Sequence, residues 1–156
     1  MKIDHKLVSA GLFLALVSSS AIAQNLTNPS KIFQKKCAMC HTSTKPKNKH
    51  EKSMMVAPPI AVAVRSVVIG VDAIEGPVNN TELRALSIEF LKDYINEPTR
   101  EKGYCEDMSY NKFGKMPSLK GFIKKSELDI VVPWVIDNFS PTKDKNGNYK
   151  VSSKRK

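Results

Sequence analysis

The feature that most constrains this chain is a compact run of chemically reactive side chains, Cys37-Ala38-Met39-Cys40-His41. Two thiols lie three positions apart, and an imidazole follows directly, so three potential ligands or attachment points occupy little more than one helical turn. Cys105 brings the cysteine count to three. Because disulfide frameworks use cysteines in pairs, an odd count predicts at least one cysteine that is free, intermolecular or bonded to something other than cysteine.

The spacing C-x-x-C-H is typical of covalent attachment of a c-type haem. Each thiol can add to one vinyl group on an edge of the porphyrin, and the adjacent imidazole is then presented to the iron as its proximal ligand. The sequence therefore predicts one haem c, attached covalently through Cys37 and Cys40, with His41 as a metal ligand.

Three other interpretations of the motif stay open from the sequence. A thioredoxin-like C-x-x-C would follow a buried apolar strand, whereas a lysine-rich segment precedes Cys37. A structural zinc site needs four ligands, which Cys37, Cys40, His41 and Cys105 could supply, although the usual second pair of ligands is missing. A disulfide between Cys37 and Cys40 would close a very short ring and stabilise the chain little.

The second axial ligand of such a haem must come from elsewhere in the chain, and ligation by His and Met raises the potential of the iron. Met116 is the methionine that we predict, because Gly114 permits a turn and Pro117 stiffens the loop that holds the sulfur. The other mature methionines lie between the cysteines, in an apolar run or in a polar loop: Met39, Met54, Met55 and Met108.

With these elements the chain resembles the class I c-type cytochromes, the small electron carriers with a single haem, from about Pro29 to Phe139. The resemblance implies a helix that leads into the motif and a later proline whose carbonyl supports the proximal histidine. That proline maps to Pro58 or Pro59, just before Ile60.

The same resemblance implies a distal methionine before a proline, and an aromatic residue on a final helix that crosses the first helix. Met116-Pro117 and Trp134 stand at the matching positions. The predicted haem-binding set is therefore Cys37, Cys40, His41, Pro58, Pro59, Ile60, Met116, Pro117 and Trp134.

The function implied by the resemblance is electron transfer by cycling of ferric and ferrous iron, not enzymatic catalysis. The formal net charge of +10 predicts redox partner proteins with acidic docking surfaces. Nucleic acid is not expected as a partner, since no base-stacking motif accompanies the charge. Three alternatives remain: a haem-based sensor or catalytic haem protein with an open distal site, a haem subunit of a larger respiratory complex, and a thiol–disulfide oxidoreductase.

Residues 1–23 have the pattern of a signal peptide. Lys2 and Lys6 precede an apolar stretch over 7–17, and Ala21-Ile22-Ala23 matches a cleavage site. The stretch is shorter than the ~20 residues that a membrane-spanning helix needs. We therefore expect a periplasmic protein, cleaved after Ala23 and without stable membrane insertion.

The fold class predicted for the mature chain is all-α, a cytochrome c-like bundle of about four short helices around one haem. Apolar periodicity and helix breakers place the helices at 30–37, 60–71, 82–96 and 127–139. Asn28, Thr81 and Ser126 are the expected N-caps, and Pro133 is expected to kink or divide the last helix. Segments 42–52 and 99–119 are predicted loops. The domain spans 24–140, and a disordered basic tail is expected over 141–156.

Overall fold

The computed structural model describes residues 28–76, 79–144 and 147–150 of the 156-residue chain. This part contains six helices and one two-stranded antiparallel sheet. The elements are α1 (Pro29–Lys36), α2 (Lys49–Ser53), α3 (Ile60–Glu75), α4 (Asn80–Asn96), α5 (Asp107–Phe113), α6 (Lys125–Phe139), β1 (Thr142–Lys143) and β2 (Tyr149–Lys150). The prediction of an all-α fold is confirmed in this coarse sense, since the described chain is mostly helical.

The predicted signal peptide and its cleavage site after Ala23 lie outside the described residues. Within the segments that are described, no helix combines the length and the apolar character needed to cross a bilayer.

Side chains just before each helix explain where three of the helices begin. The Asn28 carboxamide accepts a hydrogen bond from the Lys31 N–H at 3.2 Å, as predicted. The predicted cap Thr81 is wrong, because Asn79 accepts from the N–H groups of Thr81 and Glu82 at 3.0 Å each and starts α4 earlier.

The predicted cap of the last helix is also wrong. Ser126 lies inside α6, and Lys124 occupies the cap position instead. The Glu127 carboxylate accepts a hydrogen bond from the Lys124 N–H at 2.8 Å, which satisfies a backbone donor at the start of the helix. The α6 helix continues through Pro133 as a single element, so the predicted division is not found.

Two short helices lie in segments that were predicted to be loops. The α2 helix is capped by Asn48, which accepts from the Glu51 N–H at 2.9 Å, and α5 is followed by its C-cap residue Gly114, whose φ is 71°. Neither helix has a buried residue, so neither carries the apolar periodicity that identifies a helix in a sequence. The α3 helix also runs to Glu75, beyond the predicted end at 71.

The start of the basic tail differs from the expected disorder. Strands β1 and β2 pair across a turn at Gly147, whose φ is 79°. Lys143 bonds Asp72 of α3 at 2.8 Å, and its ammonium also lies 5.1 Å from the centre of the Tyr149 ring. This ion pair and the aromatic contact hold the hairpin against the helical body. Residues 151–156 lie outside the described part.

The core forms where α1 and α4 pack on α6 and where α3 packs on both α4 and α6. Phe33 of α1 is 1% exposed, with its ring centre 5.7 Å from that of Trp134 and 5.9 Å from that of Phe139, both on α6. The predicted aromatic contact between the first and last helices is therefore present. Since α1 leads directly into Cys37, this contact also fixes the position of the motif.

We expect Phe33→Ala to lower the free energy of unfolding by about 3–5 kcal/mol, the usual cost of removing a buried phenylalanine. Urea unfolding followed by circular dichroism measures the change. Val62→Ala is the control, because Val62 on α3 is 47% exposed and should cost no more than ~0.5 kcal/mol. Equal losses for the two variants would mean that the aromatic contact does not organise the core.

Candidate functional site

The motif forms a tight turn at the end of α1. Cys37 caps the helix, with its N–H donating to the Phe33 carbonyl at 2.8 Å. The N–H groups of Cys40 and His41 then donate to the Cys37 carbonyl at 3.1 and 2.9 Å. The turn brings both cysteines and the histidine to the wall of one cavity.

His41 is oriented by the segment that precedes α3. Its Nδ1 lies 2.8 Å from the Pro58 carbonyl oxygen, which can only accept, so Nδ1 carries the proton and Nε2 keeps a free lone pair. Metal-binding histidines commonly have this arrangement. Burial lowers the pKa of His41 even though the Pro58 hydrogen bond acts in the opposite direction, and the neutral imidazole that results is the form that binds metals.

The cavity lies between the motif and helices α3, α4 and α6. Its volume is about 170 Å³, which is more than ten times the ~10–15 Å³ that a single water needs. The walls are mostly apolar and include Ile60, Val64, Leu91 and Val132. Since protein interiors are otherwise close-packed, a cavity of this size and character fits a large apolar group.

Met116 lies on the wall of the same cavity, together with the next residue, Pro117. Gly114 makes the turn that starts their loop, with the positive φ that a glycine tolerates. Among the methionines that the structure describes, Met116 alone lines this cavity. The other described methionines are Met39, Met54 and Met108, which are 69%, 70% and 73% exposed, and Met55.

Most of the predicted haem-binding residues line the cavity, but two do not. Pro58 and Ile60 line it, and Pro58 supplies the carbonyl for His41. Pro59 instead occupies the N-cap position of α3. Trp134 is also absent from the lining, because its ring packs on Phe33 between α1 and α6. These two residues position the elements around the cavity rather than forming its walls.

The sequence did not predict that three tyrosines would line the cavity. The cavity is lined by Tyr94 of α4, by Tyr110 of α5 and by Tyr104, which precedes α5. The pKa of Tyr94 is raised strongly by burial, with a smaller contribution from the neighbouring Tyr110 hydroxyl. A Cβ atom at Gly103 would stand 1.9 Å from the Tyr110 hydroxyl oxygen, so a larger residue here would have to displace the Tyr110 side chain. No local motif marks these residues.

The three thiols are free and partly buried. Burial, with a smaller effect from Cys40, raises the pKa of Cys37 to about 11. Burial also raises the pKa of Cys105, which lines the cavity as well. Thiol–disulfide exchange depends on a thiolate that is accessible and favoured by its surroundings. The burial of Cys37 disfavours its thiolate form instead, which argues against the oxidoreductase alternative.

The alternative zinc site finds no support in the geometry. Across residues 28–76, 79–144 and 147–150, no three His, Cys, Asp or Glu side chains are arranged to hold a metal ion. The possible zinc ligands Cys37, Cys40, His41 and Cys105, all of them described, are therefore not assembled into such a cluster. The donors that do line the cavity are the two motif thiols, the separate Cys105 thiol, one oriented imidazole and one thioether, within mostly apolar walls. This set fits a covalently attached haem.

Comparison with known proteins gives one similar sequence. The chain is 28% identical over 128 residues to an uncharacterized protein of Aquifex aeolicus (strain VF5), a match that covers 76% of this chain and 79% of the relative. No family model and no solved structure matches the chain.

Proposed function

We propose that this protein is a periplasmic electron-transfer protein with one haem c, joined covalently to Cys37 and Cys40 and ligated by His41 and Met116. The observation that carries the proposal is the hydrogen bond from His41 Nδ1 to the Pro58 carbonyl at 2.8 Å. It leaves Nε2 available for iron, beside a cavity that the two motif cysteines and Met116 also line.

Each part of the cavity wall has a task in this proposal. When bound, the haem supplies the one-electron couple of its iron. Pro58 holds the His41 ring in one tautomer and one orientation. The apolar side chains of α3, α4 and α6 exclude water, and Met116 adds a neutral sulfur ligand that favours the ferrous state. With His41 and Met116 as its two protein ligands, the iron would have no open position, as expected of an electron carrier.

The charge of the surface supports an acidic redox partner. The segment that follows the motif carries Lys45, Lys47, Lys49 and Lys52, of which Lys49 and Lys52 belong to α2. A basic surface accelerates encounter with an acidic protein, and the rate falls as salt is added.

The tyrosines favour one second candidate, a haem protein with an open distal site. Tyr94 and Tyr110 bring hydroxyl groups to a cavity that is otherwise mostly apolar. Such donors could hold a small oxygen-containing ligand if Met116 did not bind the iron. This candidate is separated from the electron carrier by its response to carbon monoxide.

The test is the visible spectrum of the exported protein, purified from a host that attaches haem, in the oxidised and then the reduced state. We expect sharp low-spin haem c bands, a weak methionine-to-ferric-iron charge-transfer band, and no change with carbon monoxide. High-spin bands that shift with carbon monoxide would contradict the electron carrier and support the haem protein with an open distal site. A colourless protein would contradict both.

A further inference from the structure

A second, more open pocket lies beside the attachment turn and collects soft or borderline donors, four of them besides Cys40. Its lining includes Met39, His50, Met54 and Met55. Core packing does not explain Met39 or Met54, since their side chains are 69% and 70% exposed to solvent. Single exposed apolar side chains are ordinary, but three thioethers and an imidazole around one pocket form a donor cluster.

The short helix α2 places two of these donors on one face. His50 and Met54 are four positions apart, and the Met54 N–H donates to the His50 carbonyl at 3.1 Å, so their side chains lie one helical turn apart. Asn48 caps this turn and holds its start. Within the described part of the chain, the His50 imidazole has no hydrogen-bond partner, which leaves its nitrogens available.

The chemistry of the donors selects the ion. Thioether sulfur is a soft ligand that selects Cu(I), and imidazole also suits copper. Hard divalent cations prefer several oxygen ligands, whereas the carboxylate on this pocket, Glu51, accepts a hydrogen bond from the Lys47 N–H at 2.7 Å. The basic side chain of Lys45 lines the pocket too, and the repulsion it adds is greater for a divalent ion than for a monovalent one.

We propose that Met39, His50, Met54 and Met55 form a surface binding site for cuprous copper. All four donors are neutral when the imidazole is unprotonated, so binding transfers no proton from the thioethers and needs no change in oxidation state. The four proposed copper ligands differ from the proposed haem ligands. The two pockets are neighbours, since Cys40 lines both of them. The proposal does not depend on electron transfer by the haem.

The test uses the full exported protein with ¹³C-labelled methionine methyl groups, reduced and without oxygen. On titration with Cu(I), or with Ag(I) as a redox-inert substitute, the methyl signals of Met39, Met54 and Met55 should move together and stop moving at one equivalent. The signals of Met108 and Met116 should stay in place. Movement confined to other methionines, or no movement, overturns the proposal.

Competition with a chromophoric Cu(I) chelator gives the affinity of the site. We expect Met54→Leu to weaken Cu(I) binding at least about tenfold. Even residues that only hydrogen-bond to a metal ligand typically contribute 10–100-fold to metal affinity. Met108→Leu is the matched control, since Met108 is 73% exposed but lies on α5 outside the pocket. Equal affinities for the two variants would assign the copper to another group, such as the Cys105 thiol. An unchanged haem spectrum in Met54→Leu separates this result from the proposed function.

Discussion

Replacement of both motif cysteines, Cys37→Ser with Cys40→Ser, is expected to abolish covalent haem attachment. The two thiols line the cavity beside His41, and serine cannot form the thioether bonds. The unfilled cavity should also destabilise the domain. At ~24 cal/mol per Å³ of unfilled volume, the cost is about 4 kcal/mol for the cavity described here. Haem staining after denaturing electrophoresis measures the first effect, and urea unfolding measures the second.

The control for this variant is Cys105→Ser. Cys105 also lines the cavity and is also partly buried, but it lies outside the C-x-x-C-H motif. The single variant should therefore keep its covalent haem and stain like the unmodified protein. Loss of stain in Cys105→Ser, or a persistent stain in the double variant, would contradict attachment through Cys37 and Cys40.

The Met116→Ala protein should keep its covalently bound haem but lose one axial ligand of the iron. With the attachment turn and the His41–Pro58 hydrogen bond intact, the proposed haem should stay covalently bound, and one axial position should open. We expect loss of the methionine charge-transfer band and carbon monoxide binding to the reduced protein. The reduction potential should fall by on the order of 0.1 V or more, within the ~0.8 V range that axial ligands cover.

Met108→Ala serves as the control for Met116→Ala. Met108 follows the first residue of α5 and is 73% exposed, so its loss should leave the spectrum and the potential unchanged. A Met116→Ala protein that keeps a low-spin spectrum and ignores carbon monoxide would show that another group, such as the Cys105 thiol, ligates the iron.

The parts of the site that could be predicted from the sequence are those with a local signal. Cys37, Cys40 and His41 lie in one contiguous motif, and Met116 is marked by its flanking glycine and proline. Pro58 was predicted only as one of two adjacent prolines, because a carbonyl hydrogen bond depends on the path of the backbone. The structure selects Pro58 by its 2.8 Å contact with His41.

The rest of the cavity depends on contacts between distant segments, which no local pattern records. Tyr94 belongs to a helix predicted from its apolar periodicity, but Tyr110 lies in a segment predicted to be irregular, and only the folded chain brings both to one wall. The close contact between Gly103 and the Tyr110 hydroxyl could not be predicted from the sequence either.

Among the secondary-structure elements, the long apolar helices were predicted and the short polar ones were not. The α3 and α4 helices bury one face each, and burial produces the periodic pattern. The α2 and α5 helices bury no residue, so side-chain caps and turns determine them instead. The hairpin that begins at Thr142 depends on the Lys143–Asp72 ion pair, whose partners are far apart in the sequence.

The most direct test of the account is the intact mass of the protein, exported by a host with haem-attachment machinery and measured after denaturation. We expect the mass of residues 24–156 plus one haem, which covalent bonds to Cys37 and Cys40 would retain. A mass equal to the polypeptide alone, from a host that loads a known c-type cytochrome in parallel, would contradict the central claim.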